Sequence, residues 1–284
     1  MLQYYLFKFG QFCVGRLPIA LSYKIAMFMS DVHYYFCPRD RRIVKNNLKL
    51  ILPPEEQLSY SAREVFRNFG KYLVDFFKVQ GSLSDEYIRE HVTVKNMECL
   101  TEVLKKQKGA IIVTAHMGNW ELGGCVISKL GYPPIAVALP HKERSVNELF
   151  NAQRTAEGMT IVPNNVAIRE CIKGLKQNRL VALLADRDFN SSGEVVDFFG
   201  KKTIFPRGPA AFSLKTGAPI VPVFLIREKD DLFTLIFEEA IFPPEKEHSK
   251  EDQIDMIKKY VSVIEDKVKQ YPMQWFMFQR FWVE

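Results

Sequence analysis

The chain has 284 residues, a formal net charge of +6, 47% hydrophobic and 25% charged residues, a balance ordinary for a globular protein that buries a substantial core. Its 22 Phe, 11 Tyr and 3 Trp, joined to a basic charge that is mixed and spread out, suit an anionic membrane surface better than nucleic acid, whose binders concentrate their charge in a stripe. Five scattered cysteines (Cys13, Cys37, Cys99, Cys125, Cys171) with no C-x-x-C pair exclude a disulfide framework and a zinc ribbon. Five dispersed histidines predict no metal site.

The first thirty residues are rich in Leu, Phe, Tyr and Ile, but Lys8, Arg16 and Lys24 interrupt them. A spanning helix needs about 20 largely apolar residues, and a signal peptide needs a basic start and a small-residue cleavage site. The segment reads instead as two short helices, Leu2–Val14 and Ile19–Phe28, lying against a membrane or against the protein core. A basic stretch from Pro38 to Lys49 opens a further helix and offers phospholipid headgroups a contact, or is a solvated face. Pro53-Pro54-Glu55-Glu56 marks another helix start, whose stripe Val65, Phe69, Leu73 and Phe76 is core.

From Val92 the pattern alternates. Glu98–Lys106 reads as helix, and the apolar run Ala110–Ala115 as a buried strand. His116-Met-Gly-Asn-Trp-Glu121 follows at that strand's end. A histidine with a carboxylate five residues on is a candidate general base with its orienting partner. Inside one helix, five steps of about 100° would leave the two about 140° apart. In a strand-to-helix turn, His116 faces Glu121 across the first helical turn. The site then occupies the carboxyl end of a strand, where open α/β sheets bind ligands. The same spacing also arises by chance, and a lone histidine beside a strand is also met as a structural residue.

Beyond the motif come helix Trp120–Leu130, strand Ile135–Leu139, helix Val146–Gly158, strand Thr160–Val162, helix Val166–Lys176 and strand Leu180–Ala185. Asp186-Arg187-Asp188 ends that strand, and Gly193–Gly200 reads as a glycine-bounded apolar loop. Helix Gly208–Thr216, strands Ile220–Leu225 and Phe233–Phe237, and an amphipathic helix Glu251–Gln270 complete the pattern. It predicts an α/β fold with a largely parallel central sheet flanked by helices. An N-terminal helical, membrane-proximal segment (1–50) precedes one catalytic domain (51–284).

In order, H-M-G-N-W-E (116–121), Asn147 with Arg154, D-R-D (186–188), V-x-F-F-G (196–200), T-G-A-P-I-V-P-V (216–223) and Y-P-x-Q-W-F-x-F-x-R-x-W (271–282) closely resemble the bacterial lipid A biosynthesis (late) acyltransferases. These are a branch of the glycerolipid acyltransferase superfamily, and the resemblance runs from about residue 20 to the end. It implies transfer of a fatty acyl chain from an acyl-carrier-protein or coenzyme A thioester to a hydroxyl of a membrane glycolipid such as a lipid A precursor. It further implies peripheral or monotopic association with the cytoplasmic face of a bacterial inner membrane, and no cofactor beyond the acyl co-substrate.

Carried onto this chain, the resemblance makes His116 the general base, with Glu121 as its usual partner and Asp186 as a second candidate. Oxyanion stabilisation is expected from backbone N–H groups near the turn. Gly118, Asn119, Asn147, Arg154 and Arg207 are the implied substrate contacts, the arginines as phosphate forks, although a helix-end Arg207 equally suits the surface. Trp120, Phe198 and Phe199, with Val196, line an acyl channel or are plain core. Ala138-Leu139-Pro140 departs from the family's Tyr-Arg-Pro, which leaves Lys142 or Arg144 to supply an acceptor-binding cation. Met273 and Gln279 replace an acid and a histidine. These departures put the acceptor in question. A lysophosphatidate-type acyltransferase of the same superfamily, a thioester hydrolase and a non-catalytic membrane-binding relative are the alternatives. The first would usually show Phe-Pro-Glu-Gly where this chain has Phe205-Pro-Arg-Gly208.

Overall fold

The computed structural model describes residues 2–78, 83–138, 143–188, 193–245 and 249–282. Four helices come first: α1 (Leu2–Arg16), α2 (Ile19–Phe36), α3 (Pro38–Leu48) and α4 (Leu58–Lys78). A short helix α5 (Asp85–His91) leads into β1 (Val92–Lys95), α6 (Glu98–Leu104) and β2 (Ala110–Thr114). Alternation continues with α7 (Trp120–Lys129), β3 (Ile135–Ala138), α8 (Arg144–Ala156), β4 (Thr160–Pro163), α9 (Ala167–Lys176) and β5 (Leu180–Leu184). A hairpin of β6 (Glu194–Phe198) and β7 (Lys201–Phe205) precedes α10 (Gly208–Thr216), β8 (Ile220–Arg227), β9 (Phe233–Phe237) and α11 (Lys250–Gln270).

Seven strands form one sheet in the order β1-β9-β8-β2-β5-β3-β4, parallel at every pairing except β8 with β9. The expected α/β fold with a largely parallel sheet is what the chain adopts. Side chains alternate across a strand, so β2 sends Ile111 and Val113 to one core and Ala110 and Ile112 to the other. The first core is covered by α9, α10 and α11, through Cys171, Ala210 and Ile257 among others, and the second by α6 and α7 through Leu100 and Val126. Local signals set the element ends. Ser249 and Asp252 close a capping box on α11, and Gly217 ends α10 in the left-handed region at φ +74°.

Several local expectations need correction. The apolar loop over 193–200 is instead a strand of an antiparallel hairpin, with Glu194 opposite Phe205 and Phe198 opposite Lys201. Phe199 (φ +51°) and Gly200 (φ +70°) make its two-residue turn, whose primed geometry matches the twist of the flanking strands. A bulky residue at positive φ is uncommon, so Phe199 hid that turn. Residues 53–57 form a turn, and α4 starts only at Leu58. Helix α5, capped by Ser84 on the Tyr87 N–H, and the edge strand β1 are too short to leave a periodic pattern.

The helical layer extends past residue 50. Val44 and Leu48 of α3 share one core with Val65 and Phe66 of α4 and with Phe276 near the C-terminus. Outside that core the layer stays apolar: Phe9 and Phe12 of α1, and Phe28, Met29 and Phe36 of α2, are all more than half exposed. Among the described residues no helix is long and apolar enough to cross a membrane.

Candidate active site

Strands β2 and β5 are parallel neighbours with Ala110 opposite Leu180 and Thr114 opposite Leu184. Continued two residues, that register sets His116 beside Asp186. The contact is direct: Nδ1 of His116 lies 2.6 Å from Oδ1 of Asp186, and the His116 backbone N–H donates to Oδ2 at 2.9 Å. The indole N–H of Trp275 donates to the same Oδ2 at 3.1 Å. Asp186 is fully buried, whereas the His116 side chain keeps 13% exposure. The carboxylate therefore stands behind the ring, and the other ring nitrogen is left for a reactant. Burial pushes the Asp186 carboxyl up, but the His116 charge and hydrogen bonds outweigh it and hold the group down at about 2.

Glu121 does not contact His116. It sits in the first turn of α7 and is bound by the Arg154 fork, Nε to Oε2 at 2.9 Å and Nη2 to Oε1 at 2.5 Å. Arg154 also donates to Asn151 at 3.3 Å. Burial works against the Arg154 charge, yet the Glu121 carboxylate outweighs it and raises the guanidinium above its ordinary value. The expected His116–Glu121 contact is thus corrected to His116–Asp186. The expected phosphate fork at Arg154 is a buried ion pair. Asn147, half-buried seven residues earlier in α8, shares the Arg154 face of that helix.

The middle of the motif is architecture. Gly118 sits at φ +58°, where an added Cβ would run into the Leu225 carbonyl. Asn119 caps α7 by accepting from the Leu122 N–H at 3.1 Å, and its amide donates to Asp75 Oδ2 at 2.9 Å. Both residues are used up inside the protein rather than presented to a substrate. Backbone N–H groups at the turn are also taken: Met117 donates to Ala115, Gly118 to Gln274 and Asn119 to Leu225. With His116 given to Asp186, the N–H groups of 116 to 119 are occupied, and the N–H groups of Trp120 and Glu121 in the first turn of α7 are the ones near the turn that could face an oxyanion.

Trp120 packs edge-on to His116 with ring centroids 5.2 Å apart and stacks on Tyr72 at 4.3 Å. It also borders an apolar slot of about 40 Å³ beneath α7, with Gly123, Gly124, Ile127 and Leu225, little more than one water's share of liquid volume. Phe198 is fully buried against Phe205, Trp275 and Phe281, and Phe199 packs on that same cluster. These two are core, because the hairpin is pressed onto the C-terminal segment. Arg207 stands at the start of α10 and pairs with Glu194 at 2.8 Å. Arg144 is 91% exposed and pairs with Glu148; Lys142 and the Leu139-Pro140 pair lie outside the described residues.

Sequence reasoning missed three contributors. The C-terminal segment clamps the motif, since Phe276 N–H donates to the His116 carbonyl at 2.8 Å and Gln274 receives Gly118. Asp75 of α4, buried with Tyr23 and Arg227, anchors Asn119. At the corner between α2 and α3, His33, Cys37 and Asp40 bring potential metal ligands within 4.8 Å of one another, at a helical spacing that the search for H-x-H patterns overlooks. The side chains of His33, Cys37 and Asp40 make no hydrogen bond to His116.

A family profile for bacterial lipid A biosynthesis acyltransferases matches residues 1–284. A phosphatidylinositol mannoside acyltransferase of Mycolicibacterium smegmatis is 26% identical over 246 residues, 84% of this chain and 79% of that one. A lipid A biosynthesis palmitoleoyltransferase of Escherichia coli is 24% identical over 286 aligned residues, covering 98% of this chain and 91% of its own. Among solved structures, the 1-acyl-sn-glycerophosphate acyltransferase PlsC of Thermotoga maritima is similar with a TM-score of 0.40 and 17% identity, covering 87% of this chain and 98% of its own. The chain belongs to the bacterial lipid A biosynthesis acyltransferase family and is an acyltransferase.

Proposed function

We propose that the protein moves a fatty acyl chain from an acyl-carrier-protein or coenzyme A thioester to a hydroxyl of a membrane glycolipid, with His116 as general base. The observation that carries this reading is the 2.6 Å contact of His116 Nδ1 with the buried Asp186 carboxylate. A carboxylate there fixes the tautomer that leaves Nε2 free to accept a proton, and it stabilises the imidazolium that results. An alkyl hydroxyl is a poor nucleophile near neutral pH. Nε2 takes its proton as the oxygen attacks the thioester carbonyl. The tetrahedral adduct then collapses with loss of a thiolate, a far better leaving group than an alkoxide because a thiol ionises near pH ~8.5. The step needs neither a strong general acid nor an added cofactor.

Glu121 and Arg154 act one shell further out. Their buried pair ties the first turn of α7 to α8 and so steadies the strand-to-helix turn that carries His116. The exposed aromatic and aliphatic faces of α1 and α2 suit an interfacial contact with the bilayer holding the acceptor, on the cytoplasmic side where both thioester donors are made. The two relatives' names point to glycolipid acceptors of different headgroups, which favours a glycolipid here without choosing between them.

Mass spectrometry of membrane lipids from cells expressing wild type or His116→Ala tests the proposal. A lipid that gains one acyl mass only with wild type is the expected outcome. Equal acylation by His116→Ala would remove His116 as the base. Release of free fatty acid in the presence of the acylatable lipid would make the protein a hydrolase.

A further inference from the structure

A cleft of about 910 Å³ lies between α3 and C-terminal residues 278–282. Asn47 of α3 ties the two walls together by donating to the carbonyls of Met277 and Gln279, each at 2.9 Å. Ile43, Phe281 and Trp282 give the cleft an apolar side, and Arg39, Arg42 and Arg280 give it a basic one. Arg39 and Arg42 are exposed, and neither has a hydrogen bond or ion pair among the described residues. Asp40, the lining carboxylate, is held 3.0 Å from Nε2 of His33. Trp282 adds a buried indole N–H with no acceptor among the described residues.

The Arg39 and Arg42 guanidinium groups, without partners among the described residues, the unsatisfied Trp282 donor and an apolar wall together fit an anionic amphiphile, and arginine suits phosphate in particular. The surroundings point to the bilayer. Tyr35 and Phe36, 56% and 80% exposed at the end of α2, lead through Cys37 into Pro38 at the edge of the cleft. None of the cleft side chains hydrogen-bonds to or stacks on His116, although Gln279, Arg280 and Phe281 also border the space beside Asp186. We propose that this cleft seats the phosphate of an anionic bilayer phospholipid, with its hydrocarbon chains continuing along the exposed face of α2. The proposal rests on the membrane-lipid reading above. The seat has a structural consequence, because the segment that walls the cleft is continuous with Gln274–Phe276, which clamp the catalytic turn.

The test compares binding of the purified full chain to phosphatidylcholine vesicles with and without phosphatidylglycerol. A cationic side chain near an anionic surface contributes about 1 kcal/mol, so Arg39→Ala/Arg42→Ala should lose about thirty-fold of the phosphatidylglycerol-dependent affinity. Lys258→Ala/Lys269→Ala removes the same charge from exposed positions of α11 and should cost less than about three-fold, since surface charges beyond a Debye length are screened. Phosphatidylglycerol should also change tryptophan emission in wild type and not in Trp282→Phe. Equal losses in the two charge-matched variants, or no loss in Arg39→Ala/Arg42→Ala, would overturn the cleft. An emission change of the same size with sodium phosphate alone would overturn a lipid as its occupant. Vesicle binding needs no turnover, so the result stands apart from the acyl-transfer reading: His116→Ala should bind as wild type does, whatever its activity.

Discussion

Asp186 and His116 stand two residues beyond the paired ends of adjacent parallel strands, and their side chains meet at 2.6 Å. Glu121, the carboxylate nearer to His116 in sequence, is held by Arg154. Which acid meets His116 is therefore decided by strand register.

That arrangement separates two variants. Asp186→Asn should lower kcat about 10³- to 10⁴-fold, because an amide favours the wrong imidazole tautomer, with KM for the acceptor little changed. Glu121→Gln should lower kcat less, about 10- to 100-fold, because it acts through the position of α7. Steady-state acyl transfer with a radiolabelled thioester measures both. A larger loss in Glu121→Gln would restore Glu121 as the direct partner.

The buried Glu121–Arg154 pair gives a stability prediction. Arg154→Met leaves a carboxylate of 7% exposure without its partner, a change that costs about 3–5 kcal/mol. Glu121→Leu/Arg154→Met removes both charges and should lose clearly less than the sum of the single variants. Chemical denaturation of the four proteins closes the cycle. Additive losses would mean that the pair is not coupled in the folded protein.

Asp75 should also matter to stability although it lies outside the motif. Its carboxylate, with its pKa raised by burial and opposed by Arg227, receives Tyr23, Asn119 and Arg227. Asp75→Ala should cost about 3–5 kcal/mol and also reduce kcat, because Asn119 loses the anchor of its capping side chain. A variant of wild-type kcat would show that the α7 cap holds without Asp75.

The His116–Asp186 pair also predicts an acid limb of stability. The Asp186 carboxyl is lowered from 3.8 to about 2 in the folded protein. Between those values the unfolded chain binds the extra proton, so stability rises with pH through that window. The contribution, about 2 kcal/mol, is complete above the unfolded value and lost as pH falls through the folded one. Urea midpoints taken on either side of the window should show it in wild type, with a shallower slope in Asp186→Asn.

Much of the layout was legible because it rests on local patterns. Ala110–Ala115 and Leu180–Ala185 read as strands from continuous apolar runs, and Glu251–Gln270 reads as a helix from its apolar stripe. Illegible parts lacked such a pattern. β1 has four residues, the β6–β7 hairpin turns on a phenylalanine at positive φ, and Phe198 carries the same signature whether it lines a channel or fills a core.

The sequence by itself determined that a histidine ends a buried strand, that a helix follows it, and that the ordered motifs belong to one acyltransferase family. These are properties of neighbouring residues and of their order along the chain. Only the tertiary structure decided that Asp186 rather than Glu121 meets His116, that Arg154 is spent on Glu121, and that α3 and the C-terminal segment enclose a basic cleft. Each joins residues tens to hundreds of positions apart. Their meeting is set by strand register and helix packing, which no local spacing records.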